Sequence, residues 1–202
     1  MEQALSIYGL LISILIIGIT IIILIVKQQV RKLQIYYQKT FSTLYSPLII
    51  KAALIKKQNG CFEKQLYIIN DHRTKQTKKM DDVLNLADDI FIQINTYKPL
   101  ASKNALKHLF AIKEIKNEMA HIKQEQIYLR SLAKYEMNKE KLLLSKVFFK
   151  DMYKVAKKAD FLYEDLETML SFYPLFFDHL LKNELVKPRF ARKKIRFFQL
   201  KG

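Results

Sequence analysis

Glycine is scarce in this chain, and its scarcity excludes several classes of enzyme. Of the four glycines, Gly9 and Gly18 lie in a long apolar run and Gly202 is the last residue, so Gly60 stands alone in the remainder. A loop that cradles a phosphate needs several glycines, because only then can backbone amides approach the anion closely. P-loop, Rossmann and kinase-type glycine-rich sites are therefore excluded, and so is the Gly-x-Ser-x-Gly nucleophile elbow.

Cysteine, proline and tryptophan are also scarce, which narrows the fold class. The chain has one cysteine (Cys61), four prolines and no tryptophan, whereas 50% of its residues are hydrophobic and 27% are charged. One thiol cannot form an intrachain disulfide, so the chain suits a reducing compartment. Few helix breakers and many lysine, leucine and isoleucine residues are typical of helices. We therefore predict an all-α fold.

No set of side chains predicts a metal or a cofactor. The histidines are His72, His108, His121 and His179, and no two of them stand four residues apart as in a helical zinc site. Glu118 and His121 form one Glu-x-x-His motif, but a di-iron site needs two such motifs and two further carboxylates. An acidic helix face, which consists of Asp81, Asp82, Asp88 and Asp89, lacks the pattern of a calcium loop and is interpreted as solvated.

Residues 7–26 form an uncharged run that predicts a transmembrane helix. The run contains twenty residues, and at about 1.5 Å per residue such a helix spans about 30 Å, the thickness of a bilayer's hydrocarbon layer. Its many isoleucines do not indicate a strand, because a lone strand in lipid would leave its backbone amides unpaired. Gly9 and Ser13 lie four residues apart on one face, a spacing that lets two helices approach closely, so a homodimer is an alternative to a plain anchor.

The charges that flank this run predict its orientation. Residues 1–6 have one charged side chain, Glu2, while the basic residues that follow the run are Lys27, Arg31, Lys32 and Lys39. Cytoplasmic flanks carry the excess of lysine and arginine, so we expect the N-terminus outside and the body in the cytoplasm, at the inner (plasma) membrane. A cleaved signal peptide would have a basic first region, a shorter apolar core and a small-x-small cleavage site, and none is present.

The predicted organisation is a single transmembrane helix followed by a cytoplasmic helical bundle. Its parts are a short extracytoplasmic N-terminus (1–6), the transmembrane helix (7–26), juxtamembrane helices (27–60), a cytoplasmic helical domain (61–185) and a basic aromatic tail (186–202). The net charge of the chain is +16, which favours anionic partners such as lipid head groups or nucleic acid.

Apolar spacing and helix breakers predict the elements of the first half of the body. An apolar stripe continues from Val30 to Leu44, and Ser46-Pro47 begins a helix that ends at Asn59-Gly60. We predict a helix over 61–70, an exposed loop over 71–79 and a helix over 80–97. The buried face of the last of these is predicted to hold Val83, Leu84, Ala87, Ile90, Phe91 and Ile94.

Four further helices are predicted in the second half. Pro99 ends the preceding helix, and a long helix begins near Ser102. Its heptad seam consists of Ile112, Ile115, Met119, Ile122, Gln126, Leu129 and Ala133, which suits antiparallel packing inside a bundle. A further helix covers 139–158, Asp160 caps another that ends before Pro174, and residues 174–185 form a short apolar last helix.

Two aromatic segments are candidate binding surfaces. We expect Phe172, Phe176 and Phe177, in or beside the last helix, to bind a protein partner from the membrane or the cytosol. The tail interleaves cations and aromatics, namely Lys187, Arg189, Phe190, Arg192, Lys193, Lys194, Arg196, Phe197 and Phe198. We expect the tail to bind the lipid bilayer and its anionic head groups through charge and aromatic insertion. RNA binding and an unstructured tail are the alternatives.

One short motif suggests an enzyme. Lys116-Asn117-Glu118-Met119-Ala120-His121 resembles the Arg-Asn-x-x-x-His motif of the HEPN family, with lysine in the place of arginine. That family consists of helical-bundle ribonucleases of bacterial toxin and phage-defence systems. The resemblance implies metal-independent RNA cleavage at a dimer cleft, with His121 as the catalytic histidine, Asn117 as the orienting polar residue and Lys116 as the basic residue.

A non-enzymatic anchor or protein-interaction module at the cytoplasmic membrane surface is the function that the sequence favours. A membrane-tethered HEPN-like ribonuclease in phage defence is the alternative. The two hypotheses differ in the side chains they require, because the module needs Phe176 and Phe177 and tolerates His121→Ala, whereas the ribonuclease needs His121.

Overall fold

The computed structural model describes residues 2–59, 73–124 and 126–185, and this part of the chain is helical and contains no β-strand. Its α-helices are α1 (Glu2–Thr40), α2 (Ile49–Asn59), α3 (Arg73–Thr96), α4 (Lys103–His121), α5 (Ile127–Ala159) and α6 (Glu164–His179). A π-helical turn (Phe41–Tyr45) and a 3-10 turn (Ser46–Leu48) join α1 to α2, and a second π-helical turn (Leu180–Glu184) follows α6. The predicted all-α fold is confirmed.

The helix α1 is long, apolar and mostly uncovered. The large aliphatic side chains from Ile14 to Val26 are 49% to 64% exposed. A helix that buries none of such a surface cannot be the core helix of a bundle. Within the described ranges, α1 begins the one helical stretch that is long and apolar enough to cross a membrane. The prediction of one such N-terminal helix is confirmed.

Most of the bundle packs around α5. This helix contacts α1, α3, α4 and α6. Aromatic rings fill the contact, since the ring of Phe149 stacks on that of Tyr173 at 4.0 Å and the ring of Phe148 lies 4.9 Å from that of Tyr45. Burying a side chain of this size stabilises a fold by about 1.5–3 kcal/mol. The π-helical turn that follows α1 enters this core through Phe41, Leu44 and Tyr45.

Two predicted boundaries are confirmed, and a third is displaced. The hydroxyl of Ser102 accepts a hydrogen bond of 3.2 Å from the backbone amide of Ala105, which is the expected N-cap of α4. The helix α2 ends at Asn59 as predicted, but it begins at Ile49 and not at Pro47, which lies in the 3-10 turn before it. The predicted helix over 61–70 and the tail over 186–202 lie outside the described residues.

The predicted loop over 71–79 is wrong from Arg73 onward, because α3 begins there. Residues 73–79 contain neither glycine nor proline. Lysine, arginine and glutamine are good helix formers, so a polar stretch without a breaker extends the helix that follows it. The core face of α3 is otherwise as predicted at Val83, Ala87, Ile90 and Ile94, and it includes Leu86 as well.

The predicted heptad seam is wrong. The helix α4 ends at His121 and α5 begins at Ile127, so a break interrupts the seam. Of the seam residues only Ile112 is fully buried, and α4 meets the core through Ala105, Leu109 and Ile112. The break reverses the chain, since His108 on α4 contacts Glu140 on α5 at 2.7 Å. A seam in one helix and a hairpin of two helices share the same apolar period, so spacing alone did not separate them.

The predicted roles of Asp160 and Pro174 are also wrong. Asp160 has φ 62° and ψ 38°, the left-handed conformation that ends a helix, and it is the C-cap of α5. Pro174 lies inside α6, which continues to His179. An interior proline costs about 3 kcal/mol. Burial of Tyr173, Phe176 and Phe177 on the same helix offsets that cost.

Candidate functional site

The predicted phenylalanine surface is not exposed. Phe176 is 5% exposed and Phe177 is 0% exposed, and Phe172 packs partly buried against the same core. Because α6 continues through Pro174, its aromatic face is directed at α5, where the ring of Phe177 lies 5.9 Å from that of Phe149. These three residues therefore do not form an open surface, and their role in partner binding stays a prediction. A helix rich in aromatic residues can belong to a core or to a binding surface, so composition alone did not distinguish the two placements.

An exposed apolar surface lies instead on α2. Ile50 is 75% exposed and Leu54 is 56% exposed. They stand four residues apart and so occupy one face of the helix. The other face of α2 is buried at Ala52 and Ile55. The sequence did not indicate this pair, because α2 is apolar on both faces and only the packing separates the buried side from the exposed side.

A cavity lies beside this surface, between α2 and the start of α6. Its volume is about 360 Å³. The lining consists of Ile49, Ala53, Lys56, Lys57, Tyr163, Asp165, Leu166 and Met169. The aliphatic side chains and Met169 provide an apolar lining, and the charged side chains come from both helices. The lining therefore combines an apolar surface with side chains of both charges.

Buried polar contacts hold α2 in place beside α6. The hydroxyl of Tyr173 on α6 donates a hydrogen bond to the carbonyl oxygen of Ala52 on α2. Burial raises the pKa of Tyr173 above its usual value, so this hydroxyl stays protonated and keeps donating. The ammonium of Lys56 lies 5.9 Å from the centre of the Phe172 ring. These contacts hold α2 against α6, and both helices line the cavity.

Two aspartates of the acidic face of α3, Asp88 and Asp89, form ion pairs. Asp88 pairs with the ammonium of Lys141 at 2.6 Å, and Asp89 pairs with that of Lys51. Lys141 is almost fully buried, so the Asp88 carboxylate compensates a charge that would be costly to bury alone. Among the described residues, no group of three or more histidine, cysteine, aspartate or glutamate side chains is arranged to hold a metal ion.

The three residues of the ribonuclease motif lie on the exposed face of α4. The ammonium of Lys116 lies 4.4 Å from the centre of the Phe91 ring, a cation–π contact. Asn117 and His121 are exposed, and His121 is the last residue of α4. None of the three lines the cavity between α2 and α6. Their catalytic roles stay a prediction.

No protein-family model, no curated protein and no solved structure matches this chain. A function therefore has support only from the geometry and chemistry of the chain itself.

Proposed function

We propose that this chain is a single-pass membrane protein whose helical bundle serves as a non-enzymatic docking module on the cytoplasmic side. The observation that carries the proposal is the continuity of α1, which extends from an uncovered apolar segment to a last turn that joins the bundle core. A helix that satisfies all its own backbone hydrogen bonds is the structure a single segment adopts in lipid. The bundle is then fixed to the membrane by its own first helix.

The same helix sets a distance between the bundle and the bilayer. Tyr37 is the first residue of α1 that packs against the core. It follows Val26 by eleven residues, which corresponds to about 16 Å along a helix axis. Val30, Leu33 and Ile35 lie in this interval and are exposed. We call residues 27–36 the stalk, and its length leaves room for a partner between the bundle and the lipid.

The cytoplasmic side is proposed from the basic stalk, and it is testable with thiol labels. In a Cys61→Ser background, a cysteine at Ser131, an exposed residue of α5, is expected to react with an impermeant maleimide only after the cell envelope is opened. A cysteine at Gln3 is the matched control and is expected to react in intact cells. Labelling of position 131 in intact cells would reverse the proposed orientation.

The docking site is proposed to be the exposed face of α2 together with the cavity beside it. Apolar side chains of a partner helix would cover Ile50 and Leu54, and acidic side chains of that partner would meet Lys56 and Lys57 on α2. The two lysines outnumber Asp165, the acidic side chain that α6 contributes to the lining. Helix-in-groove recognition uses apolar anchors at this spacing. The partner class is therefore an amphipathic helix with acidic residues beside its apolar stripe.

Ile50→Glu combined with Leu54→Glu is expected to reduce capture of that partner at least tenfold. Burial of each aliphatic anchor is worth about 1.5–3 kcal/mol, and about 1.4 kcal/mol changes affinity tenfold. The measurement is quantitative mass spectrometry after in-membrane cross-linking of the full-length protein. The control is Ile92→Glu with Phe110→Glu, since both side chains are as exposed as Leu54 and lie on α3 and α4. An equal loss in the control would argue against a site on α2.

A further inference from the structure

The carboxyl-terminal end of α5 lies at the same end of the bundle as the stalk. Far from the stalk, where α5 contacts the π-helical turn that follows α1, the ring of Tyr45 lies 4.9 Å from that of Phe148. Nearer the stalk, the ammonium of Lys158 lies 4.8 Å from the centre of the Tyr37 ring. The residue numbers rise along α5 as they fall along α1, so the two helices are antiparallel. The last turns of α5 therefore face the side from which α1 enters.

Those last turns present a set of lysines. Lys154, Lys157 and Lys158 stand three and four residues apart on one face of α5 and are exposed. Lys158 is held against α1, since its ammonium also donates to the hydroxyl of Tyr37 at 3.1 Å. Lys39 is exposed in the last turn of α1. We call these four lysines the basic edge.

Acidic side chains begin the next helix. Glu164, Asp165 and Glu167 lie in the first turn of α6, which follows the last turn of α5 along the chain. The hydroxyl of Tyr153 on α5 donates to Glu167 at 2.9 Å. A planar surface of negative charge would attract the lysines of the basic edge and repel these carboxylates, so it would favour orientations of the bundle in which the basic edge is nearer to it.

We propose that the basic edge contacts anionic lipid head groups and that α1 tilts to bring it there. This inference rests on the membrane anchoring proposed above. Lys158 is level with Tyr37, about 16 Å beyond the hydrocarbon, and α5 lies about 9 Å to the side of α1. A tilt of about 30°, within the usual range for transmembrane helices, lowers the basic edge to about 10 Å. Extended lysine side chains then reach the head groups, which occupy the next 5–8 Å or so outside the hydrocarbon.

A second role for these lysines would be local. Cations in the last turn of a helix interact favourably with its carboxyl-terminal dipole. That interaction is independent of the charge of the lipid, whereas attraction to the bilayer requires anionic head groups and is screened by salt. The dependence on lipid charge therefore separates the two roles.

The test uses the absence of tryptophan from the chain. Phe161→Trp places a single fluorescent donor beside the basic edge, because Phe161 follows Asp160, the C-cap of α5, and is in ring contact with Phe41. The full-length protein is reconstituted in nanodiscs of phosphatidylcholine with a dansyl head-group acceptor, with or without phosphatidylglycerol. We expect energy transfer to rise in the anionic discs and to return to the neutral level at high salt.

The second part of the test replaces two lysines of the basic edge. Lys154→Glu with Lys157→Glu is expected to abolish the rise, whereas Arg130→Glu with Lys134→Glu, the same charge change at the far end of α5, is expected to keep it. Equal transfer in neutral and anionic discs, or an equal loss in the far-end control, would overturn the proposal. A chain that fails to enter the discs at all would contradict the anchoring itself, which distinguishes the two failures.

Discussion

Replacing Phe177 by alanine is expected to lower the free energy of unfolding of the bundle by about 3–5 kcal/mol. The side chain is fully buried, and its ring lies 5.7 Å from that of Tyr173 and 5.9 Å from that of Phe149. Removal of the ring leaves a void among aromatic side chains that cannot collapse fully around it. The measurement is denaturant unfolding of the full-length protein in detergent.

The matched control is Phe110→Ala. Phe110 is 55% exposed on α4, so the same truncation is expected to change the free energy of unfolding by less than about 0.5 kcal/mol. If Phe177→Ala instead left stability unchanged and removed partner binding, Phe177 would belong to a docking surface after all. The pair therefore decides between the core placement of this ring and the surface that its sequence suggested.

Ile16→Asp combined with Ile19→Asp is expected to abolish stable membrane integration. Each aspartate near the centre of a transmembrane helix costs about 2.5–3.5 kcal/mol of insertion free energy. Both positions lie in the uncovered apolar part of α1, and in the described part of the chain no side chain of the bundle covers them. The measurement is the fraction of protein that resists extraction from membranes at alkaline pH.

The control for this prediction places the same charges in the stalk. Val30→Asp with Ile35→Asp alters two side chains of similar exposure on the same helix. Water surrounds the stalk in the proposed arrangement, so the extraction-resistant fraction is expected to stay at the level of the unsubstituted protein. Extraction of both double variants would show that the membrane contact extends beyond residues 7–26.

The sequence was sufficient wherever one local signal decides the structure. Residues 7–26 are too long and too apolar for any soluble element of ordinary size, so the uncovered helix was predictable. Ser102 caps α4 because its hydroxyl satisfies an amide that the helix leaves free, which is a property of the first turn alone. The end of α2 at Asn59 follows from the same kind of short-range chemistry.

The sequence was insufficient wherever tertiary packing decides between local alternatives. Pro174 usually ends a helix, yet in α6 the buried rings on either side keep the helix intact. The open face of α2 was missed for a related reason. Ile50 and Ile55 are chemically alike, and only their position relative to Tyr173 and the rest of the core makes one exposed and the other buried.

Because α1 is continuous from its apolar segment to the bundle, the orientation of the bundle is coupled to that of its own anchor. A helix advances about 100° and 1.5 Å for each residue, so one residue added to the stalk would turn every face of the bundle by about 100° while lifting it by about 1.5 Å. The direction in which Ile50 and Leu54 point over the bilayer is thereby encoded in the number of stalk residues. A change in the number of stalk residues therefore alters the direction in which the bundle faces much more than its distance from the bilayer.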